Sequence, residues 1–495
     1  MSREPLLRRC FLAAFFVIIL RCAWVADDAY ITFRTIDNWS LGHGPVWNIG
    51  ERVQAYTHPL WMLILAGLHW MTSELYFTSL IVSLTASLAT AWILLDRVKG
   101  MRLILVGMLL CTCKAFIDFS TSGLEDPLSH LLIVIASLSL MKDRQDIRDL
   151  RLSSFWIALA ATCRLDLLFL LGPALCFQWV RHRGSSGRWQ ALWAGFLPLV
   201  LWEGFATLYY GHPLPNSALA KLGARPWWEL MPQGLSYLWN SLRWDPVLLV
   251  TLGLVLVPAL VSLRKDWRPS GGLALGGLFY VFYVVSVGGD FMSGRFLTEP
   301  FVIALVLLTS TASDSRFESK WVPRILIAGA VLQGLFHPLS SWKSGVDFTH
   351  YDWDDAAIAD ERGYYYADTG LIMLWRYDRD PVQPGRRVPA EDARVVVMET
   401  VGVDGYTAGP DVHIIDQMAL GDPLLSRLPC TDDHARVGHY KRLAPDGYLA
   451  SLQQGQNVIA DTETAALFTR VQILTRGDIW DGERLRLILE MIGSD

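Results

Sequence analysis

Apolar runs of near-spanning length recur through the first 339 residues, at 10–26, 76–95, 101–117, 128–141, 153–163, 167–180, 191–210, 246–263, 272–287, 300–311 and 323–339, and then stop. Each predicts a helix suited to the roughly 30 Å hydrocarbon core of a bilayer, the shorter ones with soft boundaries. The loops between them are of two kinds. One is short and basic: Arg97/Lys99/Arg102, Lys142/Arg144/Arg148/Arg151, Arg181/Arg183/Arg188, Arg264/Lys265/Arg268 and Arg316/Lys320/Arg324. The other is longer or rich in Gly and Pro, with scattered cations. Lys and Arg accumulate on the cytoplasmic side, which places the first kind inside. This alternation holds only if Pro59–Met71 is not a full span, and that stretch is too short for one. It reads as a re-entrant or interfacial helix. The expectation is eleven spans, the N-terminus cytoplasmic and residues 340–495 outside. Arg3, Arg8 and Arg9 ahead of the first run suggest a signal peptide, but no A-x-A-like site follows, so the run reads as a retained transmembrane helix.

Beyond residue 339 the pattern changes. Arg394–Met398 and Val412–Asp416 read as buried strands, Ala419–Leu428 as a short helix and Gly482–Ile492 as an amphipathic one. Strands alternating with helices suggest a small α/β layer domain. The predicted fold class is mainly α and polytopic: a transmembrane domain over 1–339, with a long first external loop at 27–75, and an extracytoplasmic (periplasmic) α/β domain over 340–495. The spans would lie in a bacterial cytoplasmic membrane.

Composition agrees. Soluble domains average about 25% charged residues; this chain has 18%, with 52% hydrophobic residues and 21 Trp. The net charge of −5 divides unevenly: residues 340–495 hold 26 of the 48 acidic and 15 of the 43 basic residues, a net of −11 against +6 for the rest. No basic domain exists to neutralise phosphates, so no nucleic-acid partner is expected. Of seven Cys only Cys430 lies in the tail, which leaves that domain without an internal disulfide. No coiled-coil heptad stands out, and a monomer is the expectation.

Polar residues cluster in the external loops. Asp27 and Asp28 stand directly off the first helix, and adjacent carboxylates at a membrane boundary are costly unless solvated, paired or used. One of them suits a general base or a cation ligand; a solvated helix end is the plainer alternative. Further along the same loop, glycines at 42, 44 and 50 break any helix, and His43 and His58 flank an extended stretch that could line a polar pocket. Glu125 sits at the outer end of the fourth span. Arg164 and Asp166 face each other in a three-residue loop, where a structural salt bridge is equally natural. Asn216 and Lys221 lie in a loop with two prolines, and Gly288–Leu297 offers Asp290 and Arg295. Together Arg164, Lys221 and Arg295 supply cations at one membrane surface, suited to a lipid phosphate. A transporter would instead carry ionisable residues near the midplane, and these spans show few. No Walker A, G-x-S-x-G, H-E-x-x-H or Rossmann string occurs in a supporting context.

These strings resemble a known family. A multi-span chain whose first external loop begins DDAYITFR (27–34) is similar to the GT-C membrane glycosyltransferases that use polyprenyl-phosphate sugars. More narrowly, G-x-V-x-N-x-G-E-R-V-x-x-Y-T-x-P-L-W (44–61), SGLE (122–125), P-L-P-N-x-x-x-A-K (213–221), V-G-G-D-F-M-x-G-R-F (287–296), IDQMALGD (415–422) with Arg427, and Gly438-His439 resemble the bacterial lipid-linked arabinofuranosyltransferases. A branch named after flagellar motor control shares the pattern.

The resemblance implies transfer of a pentofuranose, D-arabinofuranose in the family, from a polyprenyl-phosphate donor to a glycan, glycolipid or glycoprotein on the external face. It makes Asp27 or Asp28 the catalytic carboxylate, the residues do not decide which, and either could hold a divalent cation, which some GT-C enzymes use at this loop. Arg164, Lys221 and Arg295 would bind the donor phosphate, and His43, Tyr56, His58, Glu125, Asp166, Asn216 and Asp290 the substrates. The tail would cap the site, with Asp416, Asp422 and His439 as glycan contacts or merely turn residues. His58 stands where the family often has Ser or Thr, and Ser217 where Thr is common. A non-catalytic assembly protein descended from such an enzyme, or a transferase for another lipid-linked sugar, is the alternative.

Overall fold

The computed structural model describes residues 4–142, 146–222, 225–262, 269–310, 321–343, 356–381, 394–430 and 436–494. Arg144, Arg264, Lys265, Arg268, Arg316 and Lys320, expected in cytoplasmic loops, lie outside these ranges. The described chain is mostly helical. In order come α1 Glu4–Arg21, α2 Asp27–Ser40, α3 Pro59–Thr72, α4 Tyr76–Asp96, α5 Gly100–Thr112, α6 Lys114–Asp118, α7 Asp126–Leu140, α8 Ile147–Cys163, α9 Leu167–Arg181, α10 Arg188–Tyr210, α11 Asn216–Leu222, α12 Trp227–Trp244, α13 Pro246–Ser262, α14 Pro269–Ser286, α15 Thr298–Thr309 and α16 Trp321–Phe336. The remainder holds α17 Glu361–Thr369, α18 Leu371–Arg376, β1 Val395–Met398, α19 Val403–Thr407, β2 His413–Asp416, α20 Tyr448–Gln454, α21 Thr462–Arg476 and α22 Gly482–Ser494.

Among the described residues each of the eleven apolar runs is largely helical, although α1 stops at Arg21 and the run 101–117 breaks at Cys113 into α5 and α6. By length and composition α4, α10 and α14 suffice to cross a membrane among the described residues, and α12 with α13 does so as one pair bent by 109°. The bend falls at Asp245-Pro246. Proline disfavours a helical residue before it, so one helix ends and the next begins there. Pro59–Met71, expected as an interfacial piece, is the body of α3. The string Ala419–Leu428, expected as a helix, is not one: only a 3-10 turn forms, at Leu425–Arg427. Asp416 accepts from the amides of Met418 and Gly421, and Asp422 from those of Leu424 and Leu425. Side chains thus take the amide protons that a helix would direct to its own carbonyls.

The chain divides into two compact units. The first comprises Met1–Ala26, Ser79–Leu199 and Trp227–Arg379; the second Asp27–Thr78, Val200–Pro226 and Asp380–Asp495. Packing therefore groups residues differently from composition, which draws its line at 339/340.

In the first unit α15 is buried along its whole length, and α14 lies against α9 through small residues. A Cβ at Gly276 would overlap the Leu170 carbonyl, so only glycine allows this approach.

The second unit is assembled from three stretches far apart in sequence. β1 and β2 pair in parallel, Val395 opposite His413 and Met398 opposite Asp416. Against them Ile31, Trp47 and Ala55 of the first loop share a core with Val401, Ala408, Val412 and Ile414 of the tail. Arg34 fastens this core. Its buried guanidinium has no carboxylate; it donates to the carbonyls of Trp47 at 2.9 Å, Gly409 at 2.9 Å, Val412 at 2.7 Å and Gly405. The Asn48 amide bonds both the carbonyl and the N–H of Ile414. Arg34→Met keeps the bulk and orphans buried carbonyls that met a charged donor, so it should cost at least about 2 kcal/mol. Thermal unfolding of the detergent-solubilised protein checks this, with a clearly lowered midpoint expected.

Candidate active site

The residues singled out from sequence fall into both units. Glu125, Arg164, Asp166, Asp290 and Arg295 belong to the first, and Asp27, Asp28, His43, Tyr56, His58, Asn216 and Lys221 to the second.

In the first unit the loop ends converge. Arg164 is buried, and its guanidinium donates to both oxygens of Asp166 (3.2 and 2.8 Å), to Asp126 at 3.4 Å, to Glu299 at 2.8 Å and to the Tyr280 hydroxyl at 3.1 Å. Arg295 donates to Glu125 at 2.9 Å and to both oxygens of Asp126 at 3.3 Å, and stands 3.9 Å from Asp290. Both cations flank the Phe296 ring, at 4.8 and 5.8 Å from its centroid. All the Arg164 nitrogens are spoken for, and carboxylates outnumber the two cations. In this structure Arg164 and Arg295, expected to hold the donor phosphate, are the cations of a buried ion-pair network that ties the loop ends together. Glu299 and Tyr280 escape sequence reasoning. Glu299 has the signal of a lone carboxylate at the head of an apolar run.

A second buried network in the same unit was also missed. Lys114 pairs with Asp118 and, at 2.9 Å, with Asp360; Arg362 donates to Asp118 at 2.6 Å. Lys114, well inside the apolar run 101–117, was the available signal.

In the second unit the two loop carboxylates part company. The Asp27 Oδ1 accepts the Val403 N–H at 2.8 Å, and a Cβ on Gly402 would overlap the Asp27 carboxyl. Asp27 thus sits against the backbone that opens α19. Burial pushes its carboxyl up to about 7, while the Val403 N–H pulls it down and Asp28 pushes it up. Asp28 has no such partner. It is part-exposed, and it faces His439, as do Arg436 and Lys221. Lys221 is exposed on α11. The His439 imidazole is pushed down to about 4, first by burial and then by Arg436, with Asp28 opposing. At neutral pH it is an uncharged imidazole beside a carboxylate and two permanent cations. Arg436 was not foreseen.

Other expected substrate contacts are committed elsewhere. The Asn216 amide donates to the carbonyls of Ala419, Leu420 and Asp422 and accepts from Ser426, and so anchors α11 on the tail. The Tyr56 hydroxyl pairs with that of Tyr210 at 2.8 Å, and Tyr210 donates to the Pro45 carbonyl. Buried His58 meets Thr32 at 2.8 Å between its Nε2 and the threonine hydroxyl. Asp416 and Asp422 are buried turn residues. His43 is exposed. Among the described residues no three His, Cys, Asp or Glu side chains converge as metal ligands.

No family model matches the chain, and no solved structure does. Among curated proteins it is similar to the terminal β-(1→2)-arabinofuranosyltransferase of Mycobacterium tuberculosis (strain ATCC 25618 / H37Rv), 27% identical over 86% of this chain and 82% of that protein. It is likewise similar to the protein of the same name from Corynebacterium glutamicum, 27% identical over 69% of this chain and 55% of that one. The chain resembles the arabinofuranosyltransferases of the GT-C class, as its loop motifs indicate.

The raised Asp27 carboxyl has a stability signature. Its folded pKa lies above the unfolded value, so the wild type loses stability as pH rises through about 7. Asp27→Asn avoids that loss. Its melting midpoint should exceed the wild type's at pH 8 and match it at pH 4, as measured by thermal unfolding at the two pH values.

Proposed function

We propose that the protein is an integral-membrane glycosyltransferase that moves a pentofuranose, arabinofuranose by its relatives' names, from a polyprenyl-phosphate donor to a glycan, glycolipid or glycoprotein acceptor. The reaction takes place on the external face of the cytoplasmic membrane. The observation that carries the reading is that Asp28, Lys221 and Arg436 all act on the charge of a neutral His439, in one unit of a chain similar to the relatives over most of its length. A sugar leaving a lipid phosphate needs a base for the incoming hydroxyl and positive charge for the departing phosphate, and this cluster offers both.

In this reading Asp28 takes the proton of the acceptor hydroxyl while that oxygen attacks the anomeric carbon. The bond from that carbon to the phosphate oxygen breaks, and its electrons leave with the lipid phosphate, whose charge Lys221 and Arg436 meet. His439, uncharged, orients a hydroxyl or the carboxylate. Asp27 is the positioning residue: it holds the start of α2 against Gly402 and Val403, and so aims its neighbour. A direct displacement inverts the anomeric centre, so the product's stereochemistry tests whether Asp28 acts as a base. Eleven spans and an external tail complete the proposal, which the alternation of basic loops supports.

Asp28→Asn should lower kcat by about 10²–10⁴-fold, the usual worth of a general base. Lys221→Ala should chiefly raise KM for the lipid-linked donor. Asp27→Asn, which keeps an oxygen for Val403, should lose much less than Asp28→Asn. Initial rates with purified protein decide this, and equal losses for the two Asp variants would contradict the division of roles.

A further inference from the structure

The stretch between α11 and α13, expected as external loop, contains α12, and its residues sort into three sectors. At roughly 100° per residue, Trp228, Leu235, Trp239 and Leu242 fall on one side, and all are exposed, by 62%, 57%, 65% and 38%. Gly234, Tyr237 and Ser241 lie on another and are buried. Between them runs a polar strip of Glu229, Gln233, Ser236 and Arg243.

The buried sector is firmly seated. A Cβ on Gly234 would overlap the Val285 carbonyl of α14. The Tyr237 hydroxyl donates to the Met292 carbonyl at 3.0 Å and accepts the Phe296 N–H at 3.2 Å, and Asn240 accepts from the Ser293 hydroxyl at 2.6 Å. The exposed sector meets no protein, yet it is the most apolar of the three.

We infer that α12 lies in the membrane interface, with its exposed Trp–Leu face sunk at the boundary between lipid headgroups and acyl chains. Four observations point to this occupant. The helix turns by 109° from α13, so where α13 crosses the bilayer α12 runs close to its plane. The helix after the bend also exposes apolar side chains, Val250 and Val257 of α13, as a surface in contact with acyl chains would. Tryptophans at such a face suit the headgroup level. The polar strip alongside, with Glu229 and Arg243 exposed, gives the helix a side for water, as surface-lying amphipathic helices require. The bend is also held: the Asp245 carboxylate, at its apex, accepts the Ala115 N–H at 2.9 Å and the Gln333 amide at 2.5 Å. Through Tyr237 and Asn240 the Gly288–Phe296 loop, bearing Asp290 and Arg295, rides at the depth of this helix. The inference stands whichever sugar is moved.

Spin-label depth measurements test it on the full chain in phosphatidylcholine–phosphatidylglycerol vesicles, with Cys10, Cys176 and Cys430 replaced by Ser. Nitroxides on Leu235→Cys and Trp239→Cys should collide several-fold more often with oxygen than with a water-soluble nickel chelate, and one on Gln233→Cys should show the reverse. Should either labelled variant fail to assemble, Leu242→Cys reads the same face. Labels at 235 and 239 as open to the nickel chelate as that at 233 would overturn the inference. So would a lipid-phase reading at 233, which would make α12 a span.

Discussion

A guanidinium without a carboxylate organises the second unit. Arg34 is surrounded by carbonyl oxygens of its own loop and of the tail, and a buried cation so placed is tolerable only while those carbonyls stay in place. The first loop and the C-terminal segment are therefore mutually dependent: neither can leave without stranding a charge or several acceptors. Asn48, Asn216 and Arg442 extend the same logic, each side-chain amide or guanidinium closing on backbone from another stretch of chain. Such bonds specify a fold more than they stabilise it, because every alternative arrangement leaves them unmade. One outcome is that Asp28 and Lys221, from two separate stretches, both act on the charge of His439 in a third.

The two units solve the problem of charge differently. The second uses polar side chains against backbone. The first sets cations against carboxylates, around Arg164 and Arg295 and again around Lys114 and Arg362. Burying ions is costly, and such networks hold geometry better than they add stability. In a unit built of apolar helices they fix where the loop ends sit.

Much of this was legible in the sequence, and the exceptions have physical reasons. Every long apolar run is helical, and the two short hydrophobic strings of the tail are paired strands, because periodicity and length carry that information directly. α12 was hidden, because its apolar residues fill one sector only and form no continuous run. The helix expected at Ala419–Leu428 failed because Asp416 and Asp422 divert its amides. Within the site, the Asp pair and Lys221 stood out by residue type at a boundary. Arg164, Arg295 and Asn216 stood out equally, yet apart from the local Arg164–Asp166 pair their partners are distant carboxylates and carbonyls that no string reveals. A charged residue announces that it needs a partner without saying whether the partner is protein or ligand.

The claim that matters most is transfer of a sugar from a lipid phosphate. The direct measurement incubates the purified protein with a synthetic polyprenyl-phosphoryl arabinofuranose and a short arabinan acceptor, and follows the acceptor by mass spectrometry. The account predicts an acceptor heavier by one pentose, formed only when the lipid-linked donor is present. An acceptor left unchanged with this donor and with every other lipid-linked sugar, by a protein whose fold is intact, would contradict it.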